Sequence, residues 1–299
     1  MDPVDDIAKK IDQGESLTDD EIDKLAKEVD LLALGALADR RRRFVHGDRA
    51  SFVRVVEVPA GISKEDELPF VPPGAGEVRI CGHPGQRESV VAVTTRIHRA
   101  KPKVPLTGFE LYDLVDVCRS DAGRVRELLE SIKDAGMGMI SEVCLNRMEN
   151  PMWVELAETV GVPVGRLTVT QPLEQSVATM RRVASWNGLF SNVKAFAPLP
   201  STLAQRRSTG YDDVRQVALA RLVVDNIESV QIDWGTHGPK LAQLALTFGA
   251  NDFDSVSPVD SIEQGWRRAP LEEITRNITA ASFVPVERNG HFEIGTVRP

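Results

Sequence analysis

The stretch RQVALARLVVDNIESVQIDWGTHGPKLAQLALTFGANDFDS, residues Arg215–Ser255, alternates two kinds of segment. Apolar residues at helical spacing predict one helix over Tyr211–Asn226 and another over Pro239–Phe248. Short runs of β-branched and apolar residues predict strands at Ser229–Asp233 and Asp252–Val256. A strand, a helix and a second strand in this order are typical of two parallel strands joined by a crossover helix.

The same alternation extends towards the N-terminus and predicts an α/β protein. Further strands are predicted at Phe52–Val58, Glu77–Cys81, Pro102–Leu106, Gly138–Val143, Arg166–Thr170 and Asn192–Phe196, with helices at Ala122–Ala135, Trp153–Val160 and Leu173–Trp186. Eight strand–helix units indicate a closed (β/α)8 barrel of the TIM type. The connection between strands one and two, residues 59–76, holds four prolines and three glycines, so it is predicted to be an irregular loop.

The N-terminal region carries a helix signal of its own. Thr18 and Glu21 have the spacing of a capping box, and the apolar stripe that starts at Ile22 predicts a helix that ends near Gly47. We therefore divide the chain into an N-terminal helical extension, residues 1–47, and a barrel with a C-terminal extension, residues 48–299.

Composition limits the partners and the compartment. A net charge of −8 argues against nucleic-acid binding, which gathers Lys and Arg on one face. The first residues lack the features of a secretory signal, and no segment is apolar for long enough to span a membrane. Three cysteines, odd in number and far apart, suit reduced thiols. We predict a cytoplasmic protein with a small-molecule ligand and with no nucleic-acid or membrane partner.

Several segments resemble one family of enzymes. They are LLALGALADRRRRFVHGDRASFV (Leu31–Val53), EVRICGHPG (Glu77–Gly85), RVRELLESIKDAGM (Arg124–Met137), KAFAPLP (Lys194–Pro200) and the opening stretch Arg215–Ser255. The chain is similar to the aminofutalosine synthase branch of the radical S-adenosylmethionine (SAM) superfamily, with dehypoxanthine futalosine cyclase and both halves of FO synthase. The resemblance covers most of the chain and implies the barrel fold and a link to menaquinone biosynthesis by the futalosine pathway.

The chain departs from that family at its cofactor loop. The family places a C-x3-C-x2-C loop after the first strand, where it holds a [4Fe–4S] cluster through cysteine sulfur. Here the corresponding segment, VEVPAGISKEDELPFVPPGAGE (Val56–Glu77), has no cysteine, and Cys81, Cys118 and Cys144 suit core thiols. We predict no [4Fe–4S] cluster and no metal site, and SAM binding has no support of its own. The family's glycine run after strand four and its histidine after strand five are also altered, in GMISEVCLN and TVTQPLEQS.

Two residues are predicted to be catalytic. Barrel enzymes build their sites at the C-terminal ends of the strands, and Glu142 and His83 both fall there. A partly desolvated Glu142 with a raised pKa would suit a general base, and the alternative is a structural, ion-paired carboxylate. His83, in Gly82-His83-Pro84-Gly85, is an acid, a base, a ligand or a plain loop histidine.

Polar residues at other strand ends are predicted to bind substrate. Trp234 and Asp233 would hold a planar ligand, or Trp234 fills the core. His237 precedes a helix whose N-terminus suits an anion, or it caps that helix. The complete predicted set is Arg87, Gln171, Asp233, Trp234, His237 and Asp254.

Three functions fit these observations. The first is a cluster-less homologue of the futalosine-pathway enzymes, a small-molecule-binding accessory or partner subunit that pairs with a cluster-bearing radical SAM paralogue, by analogy with the two barrels of FO synthase. The second is a repurposed non-radical lyase, isomerase or hydrolase that acts on a carboxylated or nucleoside-like metabolite. The third is a sensor that binds SAM or a nucleoside without turnover.

Overall fold

Eight parallel strands close a barrel in the computed structural model, which describes residues 3–27, 30–101, 103–186, 192–201, 207–259 and 270–294. Each strand pairs with the next along the chain, and β8 pairs back to β1. The strands are β1 (Arg49–Pro59), β2 (Glu77–Cys81), β3 (Leu106–Glu110), β4 (Met139–Cys144), β5 (Val164–Val169), β6 (Ala195–Pro198), β7 (Ser229–Asp233) and β8 (Asp252–Val256). The predicted (β/α)8 fold is confirmed.

Helices surround the barrel and cover the outward-facing side chains of the strands. They are α1 (Pro3–Asp12), α2 (Asp19–Lys27), α3 (Leu31–His46), α4 (Arg87–Ala100), α5 (Leu111–Val117), α6 (Ala122–Asp134), α7 (Met152–Val160), α8 (Leu173–Ala184), α9 (Gly210–Val223), α10 (Trp234–His237), α11 (Pro239–Leu246) and α12 (Pro270–Ala280). None of the described helices has the length and apolar character needed to cross a membrane.

The predicted third strand is wrong. The structure has β3 at Leu106–Glu110 instead of Pro102–Leu106, and Pro102 lies outside the described residues. Proline has no N–H to give to a sheet, so the prolines at 102 and 105 disfavour a strand there. The chain pairs with β2 only from Leu106 onward, opposite Val78. The strand therefore ends four residues later than predicted, at Glu110.

The sequence predicts one continuous helix that ends near Gly47, but the structure has two helices there. The capping box is confirmed, because the Thr18 N–H donates to Glu21 Oε2 at 2.8 Å and the Glu21 N–H to Thr18 Oγ1 at 3.4 Å. A second helix, α3, then starts after Asp30, whose Oδ1 accepts the Leu32 N–H at 2.9 Å. An aspartate that caps free amides in this way starts a new helix.

The connection between β1 and β2 is irregular, as predicted, with no helix or strand from residue 60 to residue 76. A ninth strand that was not predicted, β9 (Val284–Glu287), pairs with the first half of β1 in the register Arg49↔Val284. The second half of β1 pairs with β2, starting at Val55↔Glu77. The long β1 thus pairs with both β9 and β2 along one edge. Arg288 follows β9 directly, and its side chain enters the barrel.

Candidate functional site

Charged side chains enter the barrel interior from alternate positions of its strands. On β2, Glu77 and Arg79 flank Val78, which lies in the hydrophobic core. On β8, Asp252 and Asp254 flank the fully buried Phe253 in the same way. Successive residues of a strand point to opposite faces, so the apolar set packs under the helices while the charged set lines the barrel axis.

One continuous ion-pair network, which we call the barrel network, links these charges. Both oxygens of Asp254 accept hydrogen bonds from Arg79 at 2.7 Å, and Arg166 of β5 also donates to Asp254. Arg79 donates to Glu77 at 2.7 Å as well. Burial alone would raise the pKa of Asp254, but the charges of Arg79 and Arg166 outweigh it and hold that pKa well below its ordinary value.

Arg166 carries the network to the C-terminal ends of the strands. Its Nη2 lies 2.9 Å from Glu142 Oε2, and its Nη1 lies 3.7 Å from Asp233 Oδ2. The Glu142 side chain is 28% exposed, against 0% for Asp254. The network therefore extends from the buried interior to the solvent-accessible C-terminal opening of the barrel, which we call the mouth. Glu142 is therefore an ion-paired carboxylate in this structure, the structural alternative raised by the sequence.

The N-terminal half of the barrel is filled. Arg288 donates from Nε and Nη2 to the two oxygens of Asp252, both at 2.7 Å, and Gln231 donates to Asp252 Oδ2 at 2.7 Å. The cavity that remains among these side chains is about 10 Å³, which is room for about one water at most. In the part of the chain that the structure describes, the open approach to the barrel network is therefore from the C-terminal ends of the strands.

Of the predicted site residues, the structure brings together Glu142, Asp233 and Asp254 through Arg166. Asp254 is fully buried beneath two arginines, so it positions those cations and does not face the mouth. The other two carboxylates keep partial exposure at the mouth.

His83, Arg87 and Gln171 turn away from this cluster. His83 Nε2 lies 3.4 Å from an Asp116 carboxylate oxygen near the end of α5, and Arg87 donates to Glu127 of α6 at 3.0 Å. Gln171 Oε1 accepts the Thr179 hydroxyl at 2.9 Å. His83 and Glu142, the predicted acid–base pair, make no hydrogen bond or ion pair with each other in this structure.

Trp234 and His237 sit on the short helix that follows β7. Trp234 meets Phe253 edge to face, with ring centroids 5.6 Å apart, and packs against the core. Asp233 Oδ1 accepts the Thr236 N–H at 2.8 Å, so this carboxylate caps the helix. His237 Nδ1 lies 3.0 Å from the Asp233 carbonyl, and burial lowers the His237 pKa, which keeps its imidazole neutral near pH 7.

A cavity of about 290 Å³ opens beyond the ends of β5 and β6, on the same side of the barrel as the mouth. Its walls combine the start of α8 with the residues that precede and begin α9: Pro172, Leu173, Glu174, Ser201, Arg207, Ser208 and Asp212. This volume is near the lower end for small-molecule sites.

Glu110, at the end of β3, was missed by the sequence analysis. Its Oε1 accepts the N–H groups of Tyr112 at 3.1 Å and Cys144 at 3.2 Å, and Arg147 Nη1 lies 2.6 Å from Oε2. Burial raises the pKa of Glu110 to about 7, against the opposing effect of these donors. A carboxyl group that titrates near pH 7 at a barrel's C-terminal face suits proton transfer.

Glu110→Gln is expected to change how stability depends on pH. Compared with the parent, the variant should be more stable at pH 8 than it is at pH 5. Because the folded-state pKa of about 7 exceeds the ordinary 4.5, the folded state holds the proton more tightly, and the free energy of unfolding falls as pH rises through this window. Gln keeps an oxygen to accept both amides and removes the titration. Urea unfolding of the parent and the variant at pH 5, 6, 7 and 8 measures this, with the exposed Glu130→Gln as control. Identical pH slopes for Glu110→Gln and the parent would contradict the assignment.

The cysteines do not suit a metal cluster. Cys81 ends β2, Cys118 follows α5 and Cys144 ends β4. Burial raises the pKa of all three, that of Cys81 to about 12, whereas a cluster takes thiolates. No set of three or more His, Cys, Asp or Glu residues in the described part of the chain could hold a metal ion. The residues present, including the cysteine-free β1–β2 loop, do not fit a cysteine-bound [4Fe–4S] cluster.

Comparison with known proteins agrees with this fold. Residues 200–298 match the family model of the CofH/MqnC C-terminal region. The 5-amino-6-(D-ribitylamino)uracil–L-tyrosine 4-hydroxyphenyl transferase of Methanosphaerula palustris is 24% identical over 79% of this chain and 81% of its own. The aminodeoxyfutalosine synthase of Thermus thermophilus is 27% identical over 55% of this chain and 54% of its own.

Among solved structures, methylornithine synthase superposes with a TM-score of 0.67 at 14% identity, over 93% of this chain and 97% of its own. A likeness at this identity concerns the fold. The resemblance read from the sequence is confirmed: the chain is a (β/α)8 barrel similar to the radical SAM enzymes of the CofH/MqnC type, with their C-terminal region at residues 200–298.

Proposed function

We propose that this protein is a cluster-less homologue of the futalosine-pathway radical SAM enzymes and acts as a small-molecule-binding accessory or partner subunit. The observation that carries the proposal is a contrast within one chain. The barrel and the C-terminal region resemble those of the related enzymes, whereas the loop after β1 has no cysteine with which to hold a cluster.

The mouth of the barrel would recognise a ligand that carries both hydrogen-bond donors and acceptors. Glu142 and Asp233 offer carboxylates there, and Arg166 offers a guanidinium held in place by three acids. A ligand amine would meet the carboxylates, and a ligand hydroxyl or carbonyl would meet the guanidinium. The cavity of about 290 Å³ on the same side of the barrel has room for a small metabolite.

The partner would be a cluster-bearing paralogue, in an arrangement of two related barrels. In that arrangement the radical chemistry belongs to the paralogue, and this chain binds or delivers the ligand. The names of the relatives support the pathway, because aminodeoxyfutalosine synthase is among them.

Glu110 favours a second candidate, a repurposed non-radical enzyme. Its pKa of about 7 fits a group that donates and accepts protons near neutral pH, and it lies at the face where barrels place their catalytic groups. A lyase, isomerase or hydrolase acting on a carboxylated or nucleoside-like metabolite is the reaction class.

Affinity purification of the tagged chain from its native host, followed by mass spectrometry, tests the first proposal. We expect a radical SAM paralogue to co-purify in stoichiometric amount. Anaerobic reconstitution of the isolated chain with iron and sulfide is expected to leave no cluster absorbance after desalting. A stoichiometric [4Fe–4S] signal on the isolated chain, or purification with no paralogue, would overturn it. Turnover by the isolated chain that Glu110→Gln abolishes and Glu130→Gln leaves intact would establish the second candidate instead.

A further inference from the structure

We propose that the space between the β1–β2 loop and α4 binds a small amphipathic carboxylate. This space, which we call the loop cavity, has a volume of about 410 Å³. It is lined by Ala60, Gly61, Ile62, Ser63 and Lys64 from the loop, and by Ser89, Ala92, Val93 and Arg96 from α4. Its lining shares no residue with the barrel mouth, so the inference does not depend on the proposed function.

The walls of the loop cavity are largely apolar. Ala60 and Val93 are buried in the hydrophobic core, and Ile62 packs against that core from the loop. Ala92 adds a methyl group from the exposed side of α4. A volume and a lining of this kind suit an aromatic ring or a short alkyl chain, whose removal from water favours binding.

Two cations line the loop cavity without a carboxylate partner among the residues that the structure describes. Arg96 Nη1 donates to the Ser63 carbonyl at 2.6 Å, and Nη2 donates to the Asp66 carbonyl. Both acceptors are neutral carbonyls, so the guanidinium makes no ion pair in the described ranges and keeps its other N–H groups available. Lys64 makes no hydrogen bond or ion pair in the described ranges.

Two of the three acids in the loop help to close its turn. Asp66 Oδ2 accepts the Ser63 N–H at 3.0 Å, and Glu65 Oε2 accepts the Ser63 hydroxyl at 3.1 Å. These contacts hold Ser63 where Arg96 binds its carbonyl, which gives the loop a defined shape beside α4. An anion that enters the loop cavity would supply Arg96 and Lys64 with a charged acceptor, which no residue in the described ranges provides.

A single carboxylate fits this arrangement better than a phosphate. Two N–H groups of Arg96 already donate to the loop, and Lys64 contributes one point charge. The site therefore matches a headgroup with one negative charge. The apolar walls then require that the rest of the ligand be hydrophobic. The ligand class is therefore an aryl- or alkyl-carboxylate of low mass.

Titration of the full-length, ¹⁵N-labelled protein with 3-phenylpropanoate, and separately with its neutral analogue 3-phenylpropanamide, tests the inference. We expect the acid to bind at least about tenfold more tightly than the amide, since charge-assisted hydrogen bonds are the stronger ones. The amide signals of Ile62 and Val93 should shift, and those of Glu142 and Asp233 should stay unchanged.

Three variants separate binding from folding. Lys64→Met keeps the length of the side chain and removes the charge, and Ala92→Leu fills the loop cavity from an exposed helical position. Each should weaken acid binding about tenfold, whereas the exposed Lys103→Met should leave it unchanged. Equal affinity for the acid and the amide, unchanged affinity in both Lys64→Met and Ala92→Leu, or shifts confined to the barrel mouth would each overturn the inference.

Discussion

Asp254→Asn is expected to lower the free energy of unfolding by about 3 kcal/mol. Asp254 is fully buried and accepts hydrogen bonds from two arginines that are themselves almost fully buried. Removal of one partner from a buried ion pair typically costs about 3–5 kcal/mol, because the other charge stays buried without compensation. The lower end of that range applies, since Arg79 keeps Glu77 and Arg166 keeps Glu142.

Urea unfolding at pH 7 measures this loss, and the exposed Asp134→Asn serves as a control that should change stability by less than about 0.5 kcal/mol. The pH dependence gives an independent readout. The folded-state pKa of Asp254 lies below its ordinary 3.8, so the stability it contributes is present above about pH 4 and is lost as pH falls below that value. As pH falls below about 4, the free energy of unfolding of Asp254→Asn should therefore fall less than that of the parent. An unchanged acid transition in Asp254→Asn would refute the buried-pair assignment.

The strands of the barrel were predictable where their signals were local. β7 and β8 begin and end at the predicted residues. In β7, SVQID, polar and apolar residues alternate, which is the local pattern of a strand. The third strand was misplaced, although the prolines at 102 and 105 were a local signal against a strand over Pro102–Leu106. Because the predicted strand ended four residues too early, Glu110 was not recognised as a strand-end residue and was left out of the predicted site.

The polar contacts of the site depended on distant parts of the chain. The alternation of Glu77 and Arg79 with apolar neighbours was a usable signal that both enter the barrel. Asp254, the partner of Arg79, lies 175 positions further along the chain, and no local pattern pairs the two residues. The loop residues were the least predictable. Gly82 and Gly85 both adopt positive φ, and the backbone they allow turns His83 towards Asp116 rather than towards Glu142.

The second large effect is expected for Arg288→Met. Arg288 follows β9, and its guanidinium binds both oxygens of the fully buried Asp252. Without it, the donors left to Asp252 among the described residues are the neutral side chains of Ser51 and Gln231. We expect a loss of about 4–5 kcal/mol in the free energy of unfolding, near the upper end for a broken buried pair. The exposed Arg124→Met is the matched control.

A double-mutant cycle with Asp252→Asn separates the ion pair from the packing of the arginine side chain. If the two charges interact directly, Asp252→Asn/Arg288→Met should be less destabilised than the sum of the single variants by about 1–3 kcal/mol. Hydrogen exchange gives the structural readout, because β9 pairs with β1 at Arg49↔Val284 and should lose protection in Arg288→Met while β7 keeps it. Additive effects with full protection of β9 would mean that the C-terminal segment is held by its strand pairing alone. Coupled effects would mean that a residue from beyond the eighth strand completes the charge balance inside the barrel, so that the C-terminal extension is part of the barrel's core.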